Sequence, residues 1–140
     1  MKNKELTDQI IKAFYKVYNT LGYGFLEKVY ERALLIELTD MGLIAECQKN
    51  VVVFYKNHVV GNYNADLTVE NTVICELKTR EVICNDDAYQ LVNYLKATTI
   101  EVGLLLNFGK KPEFKRRVYD NDQKTCINGC DFATPPDNTE

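Results

Sequence analysis

Apolar positions along the first part of the chain recur with the period of a helix. Leu6, Ile10, Ala13, Phe14, Val17 and Leu21 form one stripe, which predicts a helix over residues 6–19. Gly22 and Gly24 break it. A second stripe, Leu26, Val29, Tyr30, Ala33, Leu34, Leu38 and Met41, predicts a helix over about 26–41 with those residues on its inner side. Gly42 stands where a C′ glycine belongs. The period then changes. Residues 43–55 (LIAECQKNVVVFY) end in a β-branched and aromatic run, Lys56-Asn57-His58 reads as a hairpin tip, and VVGNY follows. Residues 63–69 (YNADLTV) alternate as a strand, Glu70-Asn71 reads as a turn, and residues 72–78 (TVICELK) read as a strong strand. Asn85-Asp86-Asp87 reads as an N-cap followed by first-turn acids, leading into the helix AYQLVNYLKA. Residues 101–107 (EVGLLLN) are nearly all apolar, as in a strand buried on both faces. Residues 114–119 (FKRRVY) form a short basic strand. The pattern predicts an α/β fold, a central mixed β-sheet flanked by helices. It fills one domain over residues 1–120, and residues 121–140, which have no period, read as a flexible tail.

Composition narrows the field. A chain of 140 residues is one domain's worth. With 46% hydrophobic and 26% charged residues it is an ordinary globular sequence, which excludes a disordered chain. No apolar run approaches the roughly 18 residues of a membrane helix, and the start has no secretory h-region, so the expected location is cytoplasmic. Seventeen Lys and Arg against 20 Asp and Glu leave a net charge of −3. Any contact with nucleic acid must then rest on a local patch or a bound metal. Of the cysteines, Cys47, Cys75 and Cys84 read as small buried hydrophobes. Cys126 and Cys130 form a C-x3-C pair, two ligands short of a zinc site. The phosphate-loop, zincin, nucleophile-elbow and dinucleotide motifs are all missing.

Candidate chemistry lies in the strands. Glu76 and Lys78 share one face with Ile74, so that face begins in a core and ends in a carboxylate and an amine. Asp66 is late in the preceding strand; if the two strands pair as a hairpin, Asp66 and Glu76 meet at one end of the sheet. Two acids and a lysine suit a hard divalent cation, an activated water and a developing negative charge. Taken alone, the spacing better describes a surface strand with a solvated ion pair. Glu27 and Tyr30 share a helix face; alone they read as a first-turn acid and a core ring. Lys110, Lys111, Lys115, Arg116 and Arg117 form the one dense basic segment. It suits phosphate contacts or the charged protection of an edge strand.

Together these segments resemble a known family. Gly24, Glu27 and Tyr30 are similar to the signature of the GxxExxY proteins, a branch of the PD-(D/E)xK nuclease-like superfamily. The resemblance continues through Ala65-Asp66-Leu67, Glu76-Leu77-Lys78, the QLVNYLKA segment at 90–97 and GLLLNFG at 103–109, covering about residues 7–119. It implies a restriction-endonuclease-like core. It further implies Asp66 and Glu76 as metal-binding acids, Glu27 as an additional acid and Lys78 as the catalytic lysine. Gln90 and Tyr94 resemble a Q-x-x-x-Y element beside the site, and their spacing puts both on one helix face; Tyr94 equally suits core packing. The implied reaction is phosphodiester hydrolysis in nucleic acid, DNA before RNA. Mg²⁺ or Mn²⁺ would be held by the three acids, with the carbonyl of Leu77 as an added ligand. Such a family carries its fold more firmly than its activity. A silent module that binds nucleic acid or protein, and an accessory subunit on a larger partner, stand beside the nuclease. Small nucleases of this fold often work as homodimers.

Overall fold

Residues 2–124 are described by the computed structural model. The elements run α1 (Lys4–Leu21), α2 (Glu27–Asp40), β1 (Ala45–Tyr55), β2 (His58–Val69), β3 (Val73–Lys78), α3 (Asn85–Lys96), β4 (Val102–Phe108) and β5 (Pro112–Val118), with a 3-10 turn at Asn121–Gln123. The five strands lie in sequence order in one sheet. All neighbours are antiparallel except β3 and β4, which α3 connects in parallel. The expected mixed sheet flanked by helices is present. α1 and α2 cover one face, over Leu67, Val69, Val73, Cys75, Leu77 and the even positions of β4. α3 covers the other, over Val51, Ala65, Ile74 and Leu105. β4 is buried along its whole length, as its apolar run requires.

Tight turns set the sheet's register, two residues (Lys56 and Asn57) between β1 and β2 and three (Glu70, Asn71 and Thr72) between β2 and β3. Lys56 and Asn57 both take positive φ, as do Glu70 and Asn71. That is the turn geometry whose twist matches antiparallel strands. His58 is therefore not part of the hairpin tip; it pairs with Tyr55 as the first residue of β2. The two strands expected over 59–63 and 63–69 are one continuous strand, because β1 pairs along all of it. α2 ends as expected. Gly42, at φ 83, lets its own N–H reach the Thr39 carbonyl and the Leu43 N–H reach that of Leu38.

Several expectations fail for identifiable reasons. Leu26 is 80% exposed, and Val29 is also exposed. The buried face of α2 is Tyr30, Leu34 and Leu38 together with Glu31, which turns inward toward β1 and β2. α3 begins at Asn85, not after it. Cys84 is the N-cap, because the Asp87 carboxylate reaches back to accept its N–H. That position leaves Cys84 exposed, while Cys75 is buried and Cys47 half-buried. Of the expected tail, residues 121–124 dock on the sheet end, where Lys124 donates to the Thr98 and Ile100 carbonyls at 2.8 and 2.7 Å. Residues 125–140, with Cys126 and Cys130, lie outside the described residues. No helix among the described residues is long and apolar enough to cross a membrane.

Tyr30 fixes how α2 starts. Its ring stacks on Phe108 at 4.3 Å, and Phe14 of α1 meets Phe108 edge-on at 4.8 Å. Its hydroxyl donates to the Gly22 carbonyl at 2.7 Å and accepts from the Phe25 N–H at 3.2 Å. Both ends of the connector between α1 and α2 are thus tied to one buried ring. Gly24 within it has φ 110, a backbone region that only glycine enters readily. Tyr30→Phe keeps the ring and strands both backbone partners. It should cost about 1–3 kcal/mol, read as a lower urea midpoint at unchanged slope.

Candidate active site

β2 and β3 pair only from Leu67↔Cys75 to Val69↔Val73. Beyond that point they diverge, and the side chains take over the hydrogen bonding. The Asp66 N–H donates to Glu76 Oε2 at 2.8 Å, and the Leu77 N–H donates to Asp66 Oδ2 at 2.8 Å. The two carboxylates are locked across the opening cleft, each accepting one N–H from the partner strand.

A slip in the face alternation of β2 aims Asp66. Ala65 packs beneath α3, yet Leu67 packs on the opposite face. In an unbroken strand residues two apart share a face, so the alternation slips at Asp66. Opposite it sits Gln48, between the pairs Cys47↔Leu67 and Lys49↔Ala65, with φ 55. A left-handed residue inside a strand is the kind of local irregularity that re-aims a side chain. The Gln48 amide donates to Glu31 Oε1 at 2.7 Å and also hydrogen-bonds Asp66. Glu31 is buried and ion-paired to Lys28 at 3.0 Å.

Lys78 follows on the same face as Glu76. It lies 3.8 Å from Asp87 Oδ1, while Arg80 Nε holds Asp87 Oδ2 at 2.7 Å. The chain after β3 is clamped by Asn107. Its side chain accepts from the Arg80 N–H and donates to the Arg80 carbonyl, both at 2.8 Å. Gly109 permits this approach, since a Cβ there would fall 2.2 Å from the Arg80 oxygen. Glu27, exposed in the first turn of α2, reaches the Thr79 backbone and feels Lys78, Asp66 and Arg80. Gln90 donates to the Tyr94 hydroxyl at 3.1 Å, and Tyr94 is nearly buried against the groove beside Lys78.

The charges are unevenly matched. Burial pushes Glu76 up to about 8, helped by the neighbouring Asp66 charge and opposed by the Asp66 N–H and Lys78. Asp66 is raised for the same first reason, despite the Leu77 N–H. Glu27 is raised by desolvation, with Lys78 opposing. Burial pushes Tyr94 up to about 12, and the Glu76 and Asp66 charges add to it. For Asp87 burial is overcome by the Arg80 and Cys84 hydrogen bonds, which hold it below the usual carboxylate range. The acids on the cleft thus lack positive charge, while the cations beside them already have a partner. That donor set, hard oxygens short of a counter-charge, fits a divalent cation. Among the described residues no three ligating side chains are gathered into a finished cage.

Glu27, Asp66, Glu76, Lys78, Gln90 and Tyr94 are therefore brought to one end of the sheet. The basic segment is not one patch. Lys110 and Lys111 are exposed in the turn after β4. Lys115, Arg116 and Arg117 alternate along the edge strand β5, half-buried, and the Arg116 guanidinium is taken by the Lys2 carbonyl. Gln48, Glu31, Arg80 and Asp87 belong to the site without having stood out in the sequence. Asp87 had a signal, since an acid at the third position of a helix often caps it. A glutamine amid a strand had none.

The profile described as the PD-(D/E)XK nuclease superfamily matches residues 4–117. The chain belongs to the PD-(D/E)XK nuclease superfamily. No curated protein matches the chain. Among solved structures the crystal structure of SSO0001 is similar at 16% identity and a TM-score of 0.45, over 86% of this chain. The chain spans 60% of that structure's length.

The raised Glu76 gives this superfamily member a pH signature. Folding takes up a proton between the ordinary glutamate value of 4.5 and about 8. In metal-free buffer the native state holds more protons than the unfolded chain in that window, so stability falls as pH rises through it. Glu76→Gln keeps an acceptor for the Asp66 N–H and removes the titration. Urea midpoints should show the variant gaining on the wild type from pH 4.5 to 8. A constant difference would contradict the assignment.

Proposed function

We propose that this chain is a metal-dependent nuclease of the GxxExxY branch, hydrolysing phosphodiester bonds in nucleic acid, with DNA the first expected substrate. The observation that supports it best is the crossed pair of hydrogen bonds between Asp66 and Glu76 where β2 and β3 part. It presents two desolvated carboxylates at a cleft, with Lys78 two residues on. Asp66, Glu76 and Glu27, with the Leu77 carbonyl, would hold Mg²⁺ or Mn²⁺. A divalent cation bound there supplies phosphate neutralisation and a more acidic water.

The chain's own groups do the positioning. Lys78 orients the attacking water and meets developing negative charge. Asp87, 3.8 Å away, holds the Lys78 ammonium in position beside the acids. Gln90 offers polar contacts from the α3 wall, and its bond to Tyr94 fixes that ring beside the acids. Lys110 and Lys111 follow the end of β4 that pairs with Lys78 and suit flanking phosphates, with Lys115, Arg116 and Arg117 farther along β5.

Mn²⁺ titrated by calorimetry should bind the wild type and not a folded Asp66→Asn variant. Lys78→Ala should lower the cleavage rate by about a hundredfold or more, measured on labelled DNA with preparations shown free of contaminating nuclease. Undiminished cleavage by both variants would remove the assignment. A binding-only domain is favoured by one observation, the lack of a finished cage of three ligating side chains among the described residues. Failure of the wild type to bind metal or to cut would support that reading instead.

Gln48 separates backbone from side chain. A non-glycine residue in the left-handed region costs roughly 1–2 kcal/mol. Gln48→Gly relieves that cost and Gln48→Ala does not, yet both lose the amide on Asp66 and Glu31. The glycine variant should melt higher than the alanine variant. Both should bind Mn²⁺ about 10–100-fold more weakly than wild type. Wild-type affinity in either would leave Gln48 a purely structural residue.

A further inference from the structure

The groove beside Lys78 is large for so small a protein, ≈ 770 Å³. One wall is a single face of α3, along which Asp86, Tyr89, Asn93 and Lys96 recur at helical spacing. Val53 and Tyr63, from β1 and β2, form the other. Two of its tyrosines show their rings to solvent, Tyr89 at 64% and Tyr63 at 49% exposed. Tyr63 is held in place. It leans over Gly61, where a Cβ would come 3.0 Å from its ring, and its centroid lies 5.9 Å from that of the nearly buried Tyr94. Tyr94 lines the groove together with Lys78, which follows Glu76 on one face of β3. Two exposed rings therefore line a groove that Lys78 borders beside the cleft.

The cations along this groove are already engaged. Lys78 and Arg80 share Asp87, Lys96 lies 5.5 Å over the Tyr119 ring, and Asp86 adds a further negative charge. The net charge of −3 brings no long-range attraction to phosphate. A duplex offers proteins its phosphates and base edges while its base faces stay stacked inside. An unpaired strand offers base faces, which stack on aromatic rings whatever the sequence. The groove is rich in the second kind of partner and poor in the first.

We propose that the groove takes an unpaired nucleic-acid strand, its bases stacked on Tyr63 and Tyr89, and delivers it to Asp66 and Glu76. This substrate class rests on the nuclease reading above. Binding through rings needs few phosphate contacts, so its salt dependence is shallow.

The test is fluorescence anisotropy of the wild-type protein in EDTA, with a labelled oligothymidylate and a blunt DNA duplex of equal length. The single strand should bind at least tenfold more tightly. Its log K should fall with log salt at a slope no steeper than about −2, given about −0.7 for each phosphate neutralised. Tyr63→Ala and Tyr89→Ala should each weaken single-strand binding by about five- to a hundredfold. Tyr89→Phe should bind as the wild type does. Equal or tighter duplex binding, no binding of either probe, or alanine variants that bind normally would each overturn the proposal. A cleavage assay on the same two probes, with Mn²⁺ added, keeps the two readings apart. Cleavage of the duplex in preference to the single strand refutes the substrate class and leaves the nuclease standing. Tyrosine-dependent single-strand binding without cleavage by any divalent cation supports the groove and refutes the nuclease.

Discussion

Everything distinctive about this protein depends on two strands ceasing to pair. Once β2 and β3 separate past Leu67↔Cys75, two backbone N–H groups lose their ladder partners in a half-buried place. Leaving such donors unpaired costs about 1–3 kcal/mol each. The chain answers with carboxylates, Glu76 for the Asp66 N–H and Asp66 for that of Leu77. The cleft and its acids are therefore one feature. Opening the sheet creates the need for acceptors, and satisfying the need fixes the acids. Replacing either by an apolar residue would unmake the shape as well as the charge.

The rest of the fold holds that opening from three sides. Gln48, left-handed opposite Asp66, ties β1 and α2 to it through Glu31. Asn107 and Gly109 on the β4 side hold the chain beyond Lys78 so closely that Arg80 meets Asp87. Tyr30, stacked on Phe108, ties the connector that brings Glu27 to the same end. These supports come from three elements distant in sequence, β1, α2 and β4, which is why a local pattern cannot display them.

What was legible followed from periods and turns. The alternation in TVICELK and the apolar run GLLLN gave the central strands, because burial on both faces leaves a composition trace. Asp66, Glu76 and Lys78 were legible as polar intrusions on strands that otherwise enter a core. The inner face of α2 was misread because Leu26 and Val29 are apolar yet exposed, while Glu31 is charged yet buried. Hydrophobicity alone cannot rank a carboxylate that finds Gln48 and Lys28 above a leucine that finds solvent. Gln48 was invisible for a deeper reason. Its contribution begins with a backbone angle, and nothing in its own chemistry announces that angle. Asp87 was read as a favourable helix acid, which is true; its second role toward Lys78 and Arg80 needed the parallel β3–α3–β4 crossover to bring them together.

That second role bears on how the site treats phosphate. The N-terminus of a helix is ordinarily a ready anion site, with unpaired N–H groups and the positive end of the dipole. At α3 this position is already taken, since the Asp87 carboxylate caps Cys84 and draws in Arg80 and, more loosely, Lys78. The fold has spent its best anion-binding feature on an internal carboxylate. What it obtains is a lysine and an arginine held at defined positions beside the acids, since each is tethered to a buried partner. Lys78 and Arg80 cannot also serve as general attractors of a polyanion without giving up Asp87 and leaving it buried and unpaired, which is costly. Positioning and attraction compete for the same two side chains. Here the geometry of these two side chains favours positioning over attraction.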